Sequence, residues 1–199
     1  ETPRLFRNDK NGKFTDITKE SKLDRVILAM GANFGDLDND GWLDCYFGTG
    51  TPDFAALLPN KMFRNDGGKV FQDITTSGGF GHLQKGHGIS FADFNNDGAE
   101  DIFEVIGGAF PGDTYQSVLF KNAGTKNHWI THDLNGEKSN RSAIGTRIKI
   151  IVNTPNGERS IYRTVSTGGS FGGSPLRQHI GLGNALAINA GLGNLGVSV

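Results

Sequence analysis

Residues 34–41 read Phe-Gly-Asp-Leu-Asp-Asn-Asp-Gly, and residues 91–98 repeat this acidic pattern as Phe-Ala-Asp-Phe-Asn-Asn-Asp-Gly, 57 positions later. Two other segments repeat with the same spacing. Residues 5–9 return at 62–66 and again, in weaker form, at 119–123, and residues 14–18 return at 71–75. Three separate segments in one register indicate an internal structural repeat.

The repeat predicts an all-β fold. Short β-prone segments are expected near 31–35, 43–48, 61–65 and 70–75, and again near 88–92, 101–106, 117–121 and 128–133, with glycine-rich turns between them. The composition agrees, because 30 glycines and 14 phenylalanines suit short strands joined by tight turns. A period of this length fits a four-stranded propeller blade. We therefore predict a partial β-propeller of about two full blades with flanking strands.

The chain divides into two predicted parts. Residues 1–134 hold the repeats, and residues 135–199 form a small β module that begins with a hairpin, 146–152 and 158–165, around a Pro-Asn-Gly turn. The last part, residues 184–199, carries no charged residue and is predicted to be an edge strand, an interface segment or an atypical, imperfectly assigned end of the module. Because a closed propeller needs about four blades or more, either the chain belongs to something longer or a partner covers an open edge.

The chemistry of the repeat lies in two segments, the first acidic loop (residues 36–44) and the second acidic loop (residues 93–101). Both place oxygen-bearing side chains at loop positions 1, 3, 5 and 9, with glycine at position 6, and a main-chain carbonyl at position 7 would complete the shell of a hard cation. We predict two Ca²⁺ sites, because magnesium prefers rigid octahedral shells that keep several waters. The proposed ligands are Asp36, Asp38, Asp40, Trp42 and Asp44 in the first loop, and Asp93, Asn95, Asp97, Ala99 and Asp101 in the second.

Charge count predicts that the first site binds calcium more tightly, since it offers four carboxylates and the second offers three. Two other interpretations compete with this prediction. The loops are either metal sites or solvated Asn/Asp turns, and two copies in register favour metal sites. The second loop also fits an EF-hand, with Glu104 at position 12, but its flanks are glycine-rich and β-prone, and the first loop has Phe47 at that position.

With these motifs in view, the repeats resemble the calcium-loop blades of the FG-GAP/VCBS class, which is related to the β-propeller of integrin α chains. Residues 139–148, 168–171 and 177–183 resemble the ASPIC/UnbV module that follows such repeats in the cartilage-acidic-protein-like family. The resemblance implies a calcium-stabilised scaffold that binds proteins or surfaces outside the cytoplasm: extracellular, on the cell surface or in the periplasm. It implies no shared catalytic residues.

Composition limits the functional classes. A formal net charge of −1 provides no field that would attract nucleic acid, and no apolar run reaches the roughly 18 residues of a membrane span. We predict a non-enzymatic scaffold for protein–protein association or adhesion, with no catalytic residue and no cofactor besides calcium, which contacts other chains through open blade edges or the C-terminal tail. The alternatives are an accessory subunit of a larger complex or filament, and a metal-dependent carbohydrate-active enzyme on a propeller scaffold.

The repeat also predicts packing. Cys45 aligns with an isoleucine of the next repeat and is expected to be a buried small hydrophobe. Arg141 is expected to clamp the C-terminal module to the last repeat by pairing with a carboxylate. The recurring aromatic residues expected in the blade core are Phe34, Phe63, Phe91 and Phe120.

Overall fold

The computed structural model describes residues 2–51, 53, 57–108, 111–112, 115–138 and 140–192. These residues form fourteen strands and their turns with no helix, which confirms the all-β prediction; accordingly, this part of the chain holds no helix suited to crossing a membrane. The strands are β1 (Phe6–Asn8), β2 (Phe14–Asp16), β3 (Ala29–Gly35), β4 (Asp44–Thr49), β5 (Lys61–Asp66), β6 (Val70–Asp73), β7 (Gly86–Ala92), β8 (Asp101–Ile106), β9 (Val118–Phe120), β10 (His128–His132), β11 (Arg147–Thr154), β12 (Gly157–Thr164), β13 (Gln178–Gly183) and β14 (Ala187–Leu192).

The first full repeat forms a four-stranded antiparallel sheet in the order β3-β4-β5-β6, as a propeller blade requires. All six residues of β4 are buried, because the strand is central in its sheet and also faces the next one. The two sheets approach closely. A Cβ on Gly31 in β3 would overlap the main-chain oxygen of His87 in β7, so only glycine permits this packing.

The second repeat differs from the prediction at its fourth strand. Its sheet contains only β7, β8 and β9, whereas β10 pairs with β13 of the C-terminal part. The sequence explains the difference, because residues 128–132 lack the Phe-x-Asp-Ile-Thr motif found at residues 71–75 and at 14–18. Strand β10 therefore lies before the proposed boundary at residue 134 yet pairs with a strand beyond it; the division at that residue stays a prediction.

Strands β1 and β2 are a partial copy of the repeat. Their register pairs Phe6 with Asp16 and Asn8 with Phe14, and β5 and β6 pair the equivalent residues 57 positions later in the same way. In the complete sheet, β5 also pairs with β4 on its other edge, but no described strand occupies that position beside β1.

The C-terminal residues build their own core. The predicted hairpin forms as β11 and β12, and its turn lies between Thr154 and Gly157. Strand β14 pairs with the other edge of β11, so residues 187–192 of the uncharged tail are an edge strand. The buried core of this part consists of Leu134, Ala143, Ile148, Ile150, Val152, Ile161, Val165, Ile180 and Leu182.

The packing predictions are mostly confirmed. Cys45, Phe63 and Phe91 are buried, and Phe120 packs against the core between the two blade sheets. The prediction for Phe34 is wrong, because its side chain is 50% exposed. Phe91 is covered because it packs on β3 of the preceding sheet. The sheet that would cover Phe34 in the same way is represented among the described residues only by β1 and β2.

Candidate metal centre

Each acidic loop connects the first two strands of its blade. The first leaves β3 after Gly35 and ends on Asp44, the first residue of β4, and the second joins β7 to β8 in the same way. The loops share a tight bend in which position 4 is an asparagine with positive φ, 57° at Asn39 and 58° at Asn96. Position 6 also has positive φ in both loops and is a glycine, which tolerates that conformation best.

The position 1 carboxylate closes the bend in both loops. Oδ2 of Asp36 accepts the N–H of Gly41 at 2.9 Å, and Oδ2 of Asp93 accepts the N–H of Gly98 at 2.9 Å. These bonds explain why an acidic residue, five positions before a glycine, recurs with the repeat. In each loop, the backbone therefore curves around the side chain at position 1.

The position 9 carboxylate ties each loop to the third strand of its blade. Asp44 accepts the N–H of Leu37 at 2.8 Å and the N–H of Asn65 at 2.7 Å. Asp101 likewise accepts the N–H of Asn122, two residues beyond the third strand β9, at 2.8 Å. Each oxygen that accepts a main-chain hydrogen bond keeps a second lone pair, so these contacts are compatible with the predicted role as metal ligands.

The first loop brings three of its predicted ligands together. One carboxylate oxygen from each of Asp36, Asp38 and Asp40 lies within 4.8 Å of the others, the single such acidic group in the described part of the chain. Asp36 is completely buried, and its Oδ1 has no hydrogen-bond partner there. A buried carboxylate oxygen without a partner is costly, and a hard cation satisfies it. The residues of the first loop therefore fit calcium.

Electrostatics also favour a cation. Burial raises the pKa of Asp36 to about 7; the Arg163 guanidinium opposes the rise, and the carboxylates of Asp40 and Asp38 add to it. Burial similarly raises the pKa of Asp44 to about 8. These pKa shifts mean that the loop holds its negative charges at a cost, and a bound divalent ion would offset that cost.

The second loop is more open. Asn95 and Asp97 are exposed, and the Asn95 side-chain amide donates to Asp97 at 2.7 Å. The main-chain N–H of Asp97 donates to Oδ1 of Asp93 at 3.0 Å, so this oxygen, unlike Oδ1 of Asp36, already has a hydrogen-bond partner. The second calcium site remains a prediction, as do the main-chain carbonyl ligands of Trp42 and Ala99.

The C-terminal part covers the first loop. The main-chain N–H of Gly181 in β13 donates to Oδ2 of Asp36 at 3.1 Å. The guanidinium of Arg163 in β12 lies 3.6 Å from the same oxygen and donates to the carbonyl of Gly41 at 3.3 Å. Its side chain is only 11% exposed, so this ion pair is largely shielded from solvent.

Residues after β9 hold the first loop from a second side. Both the Thr125 hydroxyl and the Asn127 amide donate to the carbonyl of Asp38 at 2.8 Å. The Asn122 amide donates to the carbonyl of Leu37 at 2.7 Å. The first loop is therefore a junction between its own blade, the second repeat and the C-terminal part.

Sequence reasoning missed two buried charges at this junction, Glu100 and Arg163. Glu100 is 8% exposed and accepts the N–H of Asp36 at 2.7 Å. The repeat does mark Glu100, because a charged residue stands there at the position where the first loop has the apolar Leu43. Arg163 has no counterpart in the repeat that would have marked it. The clamp predicted at Arg141 is instead formed by Arg163, since the side chain of Arg141 is exposed.

Comparison with known families agrees with this architecture. The model of the FG-GAP-like repeat matches residues 1–47 and 46–104, and the model described as ASPIC and UnbV matches residues 136–190. The chain belongs to the FG-GAP-like repeat family, and its repeats are followed by an ASPIC/UnbV domain. A search of curated proteins found no match. Domains of these two classes are generally non-catalytic and indicate a protein-interaction module of the cell exterior.

Proposed function

We propose that this chain is a non-enzymatic, calcium-stabilised scaffold that acts outside the cytoplasm and associates with other proteins through an open sheet edge. The two FG-GAP-like repeats and the ASPIC/UnbV domain support the general class. The observation that carries the more specific proposal is the contrast between β1 and its complete copy, β5.

The contrast is clearest at one repeated phenylalanine. Phe63 in β5 is 0% exposed, because β4 pairs with that strand and Cys45 lies opposite Phe63. Phe6, the equivalent residue of β1, is 53% exposed, and Phe14 of β2 is 62% exposed. The two-stranded sheet of β1 and β2 thus presents apolar surface that the four-stranded sheet buries. Burying large apolar side chains drives association.

Within the described residues, no strand pairs with the main chain at this edge of β1. Leu5 accepts the N–H of Ile17 at 2.9 Å, and Asp9 donates to Lys13 at 2.9 Å, so these alternate residues of the strand face β2. In an antiparallel ladder the intervening residues point their main-chain groups the other way. The main-chain N–H and C=O of Phe6 therefore point away from β2, toward the side on which β5 pairs with β4.

The occupant we propose is a β-hairpin of the same repeat class, equivalent to β3 and β4 with an acidic loop between them. Asn8 supports this choice, because its repeat equivalents Asn65 and Asn122 each donate a main-chain N–H to the last aspartate of an acidic loop. Asn8 is placed to receive the same carboxylate from an incoming hairpin. This mode of association is β-strand addition, with phenylalanine contacts that provide specificity.

A labelled peptide spanning residues 29–49 tests the association. We expect saturable binding in fluorescence anisotropy, loss of binding to the Phe6→Glu protein, and weaker binding of the peptide that carries Asp44→Asn. The matched control is Arg7→Ala in the same strand, whose side chain pairs with Asp9 and should not matter. Binding that survives Phe6→Glu, or no binding at all, contradicts the proposed edge.

Calcium stabilisation is tested separately by chelation. A ligand that binds only the native state at a hundredfold excess over its dissociation constant adds about 2.7 kcal/mol to the free energy of unfolding. Addition of EDTA should therefore lower the melting temperature by several degrees, and excess calcium should restore it. A melt that is insensitive to EDTA contradicts this part of the proposal.

The same open edge favours one further candidate, a subunit of a larger protein assembly. An unpaired edge strand is a template for pairing with another chain. Sedimentation velocity with and without calcium distinguishes a free monomer from a chain that associates with copies of itself, and Phe6→Glu should abolish any such self-association.

A further inference from the structure

The C-terminal domain contacts the main chain of the first acidic loop rather than its surface alone. The N–H of Gly183 in β13 donates to the carbonyl of Asn39 at 2.8 Å. The Arg159 guanidinium donates to the carbonyl of Asp40. A Cβ on Gly181 would overlap both Asn39 and Oδ2 of Asp36, so β13 rests directly on the loop.

Asn39 is the centre of this contact. Its side chain is 2% exposed, and its Nδ2 donates to the carbonyl of Gly98 in the second loop at 2.7 Å. Its Oδ1 lies 2.7 Å from Nε2 of His179 in β13. One side chain therefore joins the first loop, the second loop and the C-terminal domain.

The equivalent residue of the second loop has a different environment. Asn96 adopts nearly the same φ, 58° against 57°, but its side chain is exposed. Its Oδ1 accepts a hydrogen bond from Arg177 at 3.1 Å, an exposed contact. The two asparagines form a matched pair with the same backbone and a different degree of burial.

The C-terminal domain leaves the proposed cation position free. Both Gly181 and Arg163 approach Oδ2 of Asp36, whereas Oδ1 is buried and has no hydrogen-bond partner within the described residues. Oxygens of Asp38 and Asp40 lie within 4.8 Å of this carboxylate. A docked domain and a bound cation therefore use different atoms of Asp36 and are compatible.

We propose that the first acidic loop is a calcium-dependent latch for the C-terminal domain: calcium binding at Asp36, Asp38 and Asp40 and docking through Asn39 strengthen each other. The inference rests on the calcium binding proposed above. A bound ion fixes the backbone of residues 36–44, and that backbone carries the docking contacts. Coupling between two binding events is reciprocal, so docking must in turn raise the affinity of the loop for calcium. In the second loop, residues 94–97 are exposed and Asn96 makes only an exposed contact with Arg177 among the described residues, so we expect no such coupling there.

The test uses three glycine amides as reporters in NMR spectra of the isotope-labelled full chain. Gly41 reports the first loop, Gly98 the second, and Gly181 the docking contact with Asp36. Calcium chloride is titrated into the wild type, Asn39→Gly and Asn96→Gly. Glycine keeps the positive φ at these positions and removes only the side-chain contacts.

Calcium should slow hydrogen exchange of the Gly181 amide in the wild type and in Asn96→Gly. In Asn39→Gly, that exchange should be faster, and the calcium concentration at half-saturation of the Gly41 signal should rise about fivefold or more, the usual scale of such coupling. If Asn39→Gly proves too unstable, His179→Phe removes the same hydrogen bond from the other side and preserves the stacking on Trp129.

The outcomes separate the two proposals. If a variant speeds hydrogen exchange of the Gly181 amide but leaves the calcium concentration at half-saturation of the Gly41 signal unchanged, the latch is overturned and calcium binding stays intact. If neither Asn39→Gly nor His179→Phe speeds hydrogen exchange of the Gly181 amide, the role of Asn39 is overturned. If neither Gly41 nor Gly98 responds to millimolar calcium, the calcium part of the proposed function fails, and the latch fails with it.

Discussion

The two acidic loops have the same main-chain design but different surroundings. Both use an aspartate at position 1 to hold a glycine at position 6, and both use an aspartate at position 9 to hold the next strand. The first loop lies beneath the C-terminal domain, and its position 1 carboxylate is completely buried. In the second loop, residues 94–97 are exposed.

This difference separates what the repeat determines from what its neighbours determine. The local hydrogen bonds give the loop its conformation in either place, because they lie within the repeat itself. Burial gives the first loop its raised pKa values, its ion pair with Arg163 and its unpartnered oxygen. We therefore expect the first loop to act as a structural joint, and the second as a site that gains or loses an ion with little effect on the rest of the molecule.

The largest expected difference is between Asp36→Ala and Asp93→Ala. Loss of Asp36 leaves the shielded Arg163 guanidinium without its carboxylate, which typically costs about 3 kcal/mol or more. Part of this loss is returned at pH 8, because burial raises the pKa of Asp36 to about 7 and the ionised carboxylate is costly to bury. Loss of Asp93 removes hydrogen-bond acceptors at a partly exposed site and should cost about 1 kcal/mol. Urea unfolding in EDTA at pH 8 measures both without the contribution of bound calcium.

The control for this pair is Asp97→Ala, an exposed aspartate of the second loop, which should change the free energy of unfolding by about 0.5 kcal/mol or less. Equal losses for Asp36→Ala and Asp93→Ala would remove the distinction between a joint and an independent site.

The next difference lies at position 12, where the second loop is followed by Glu104 and the first by Phe47. Glu104 is 0% exposed, and the Tyr46 hydroxyl from the first blade donates to it at 2.9 Å, so it belongs to the contact between blades. Burial raises the pKa of Glu104 to about 7, while hydrogen bonds from Tyr46 and Asn60 oppose the rise. We predict that Glu104→Gln becomes more stable relative to the wild type as the pH rises.

The sign follows from proton linkage. Between the ordinary carboxyl pKa, near 4.5, and about 7, the folded chain binds more protons at Glu104 than the unfolded chain does. Raising the pH through this window therefore destabilises the wild type. Glutamine cannot titrate, so the difference in unfolding free energy between the variant and the wild type should grow by about 2 kcal/mol from pH 5 to pH 8. A difference that stays constant between these pH values contradicts the prediction.

Much of the fold was predictable because the repeat is written directly in the sequence. The 57-residue spacing predicted the four strands of the first blade, and it predicted both acidic loops. It did not predict that β10 would join β13, since that pairing begins where the repeat motif ends. Nor did it predict the exposure of Phe34, because a repeated side chain is buried only where a neighbouring sheet is present to cover it.

The local half of the candidate site was predictable, and the long-range half was not. Acidic residues at alternate positions before a glycine indicate an inward-facing loop whatever surrounds it. The contacts of Arg163 and Gly181 with Asp36 join residues that are far apart in the chain and belong to no repeat. A single sequence gives no signal for such pairs.

The smallest expected difference concerns the arginines that contact each loop from the C-terminal domain. Arg159 donates to the carbonyl of Asp40 and lies 5.6 Å from the ring of Trp42, so Arg159→Gln should cost about 1 kcal/mol. Arg177 makes an exposed hydrogen bond with Asn96, and Arg177→Gln should change stability by about 0.5 kcal/mol or less. Thermal unfolding compares the two. In a Trp129→Phe background, which leaves Trp42 as the single tryptophan of the sequence, tryptophan fluorescence should shift only in Arg159→Gln. If Arg177→Gln destabilises the protein as much as Arg159→Gln does, the C-terminal domain holds both loops, and burial alone does not distinguish them.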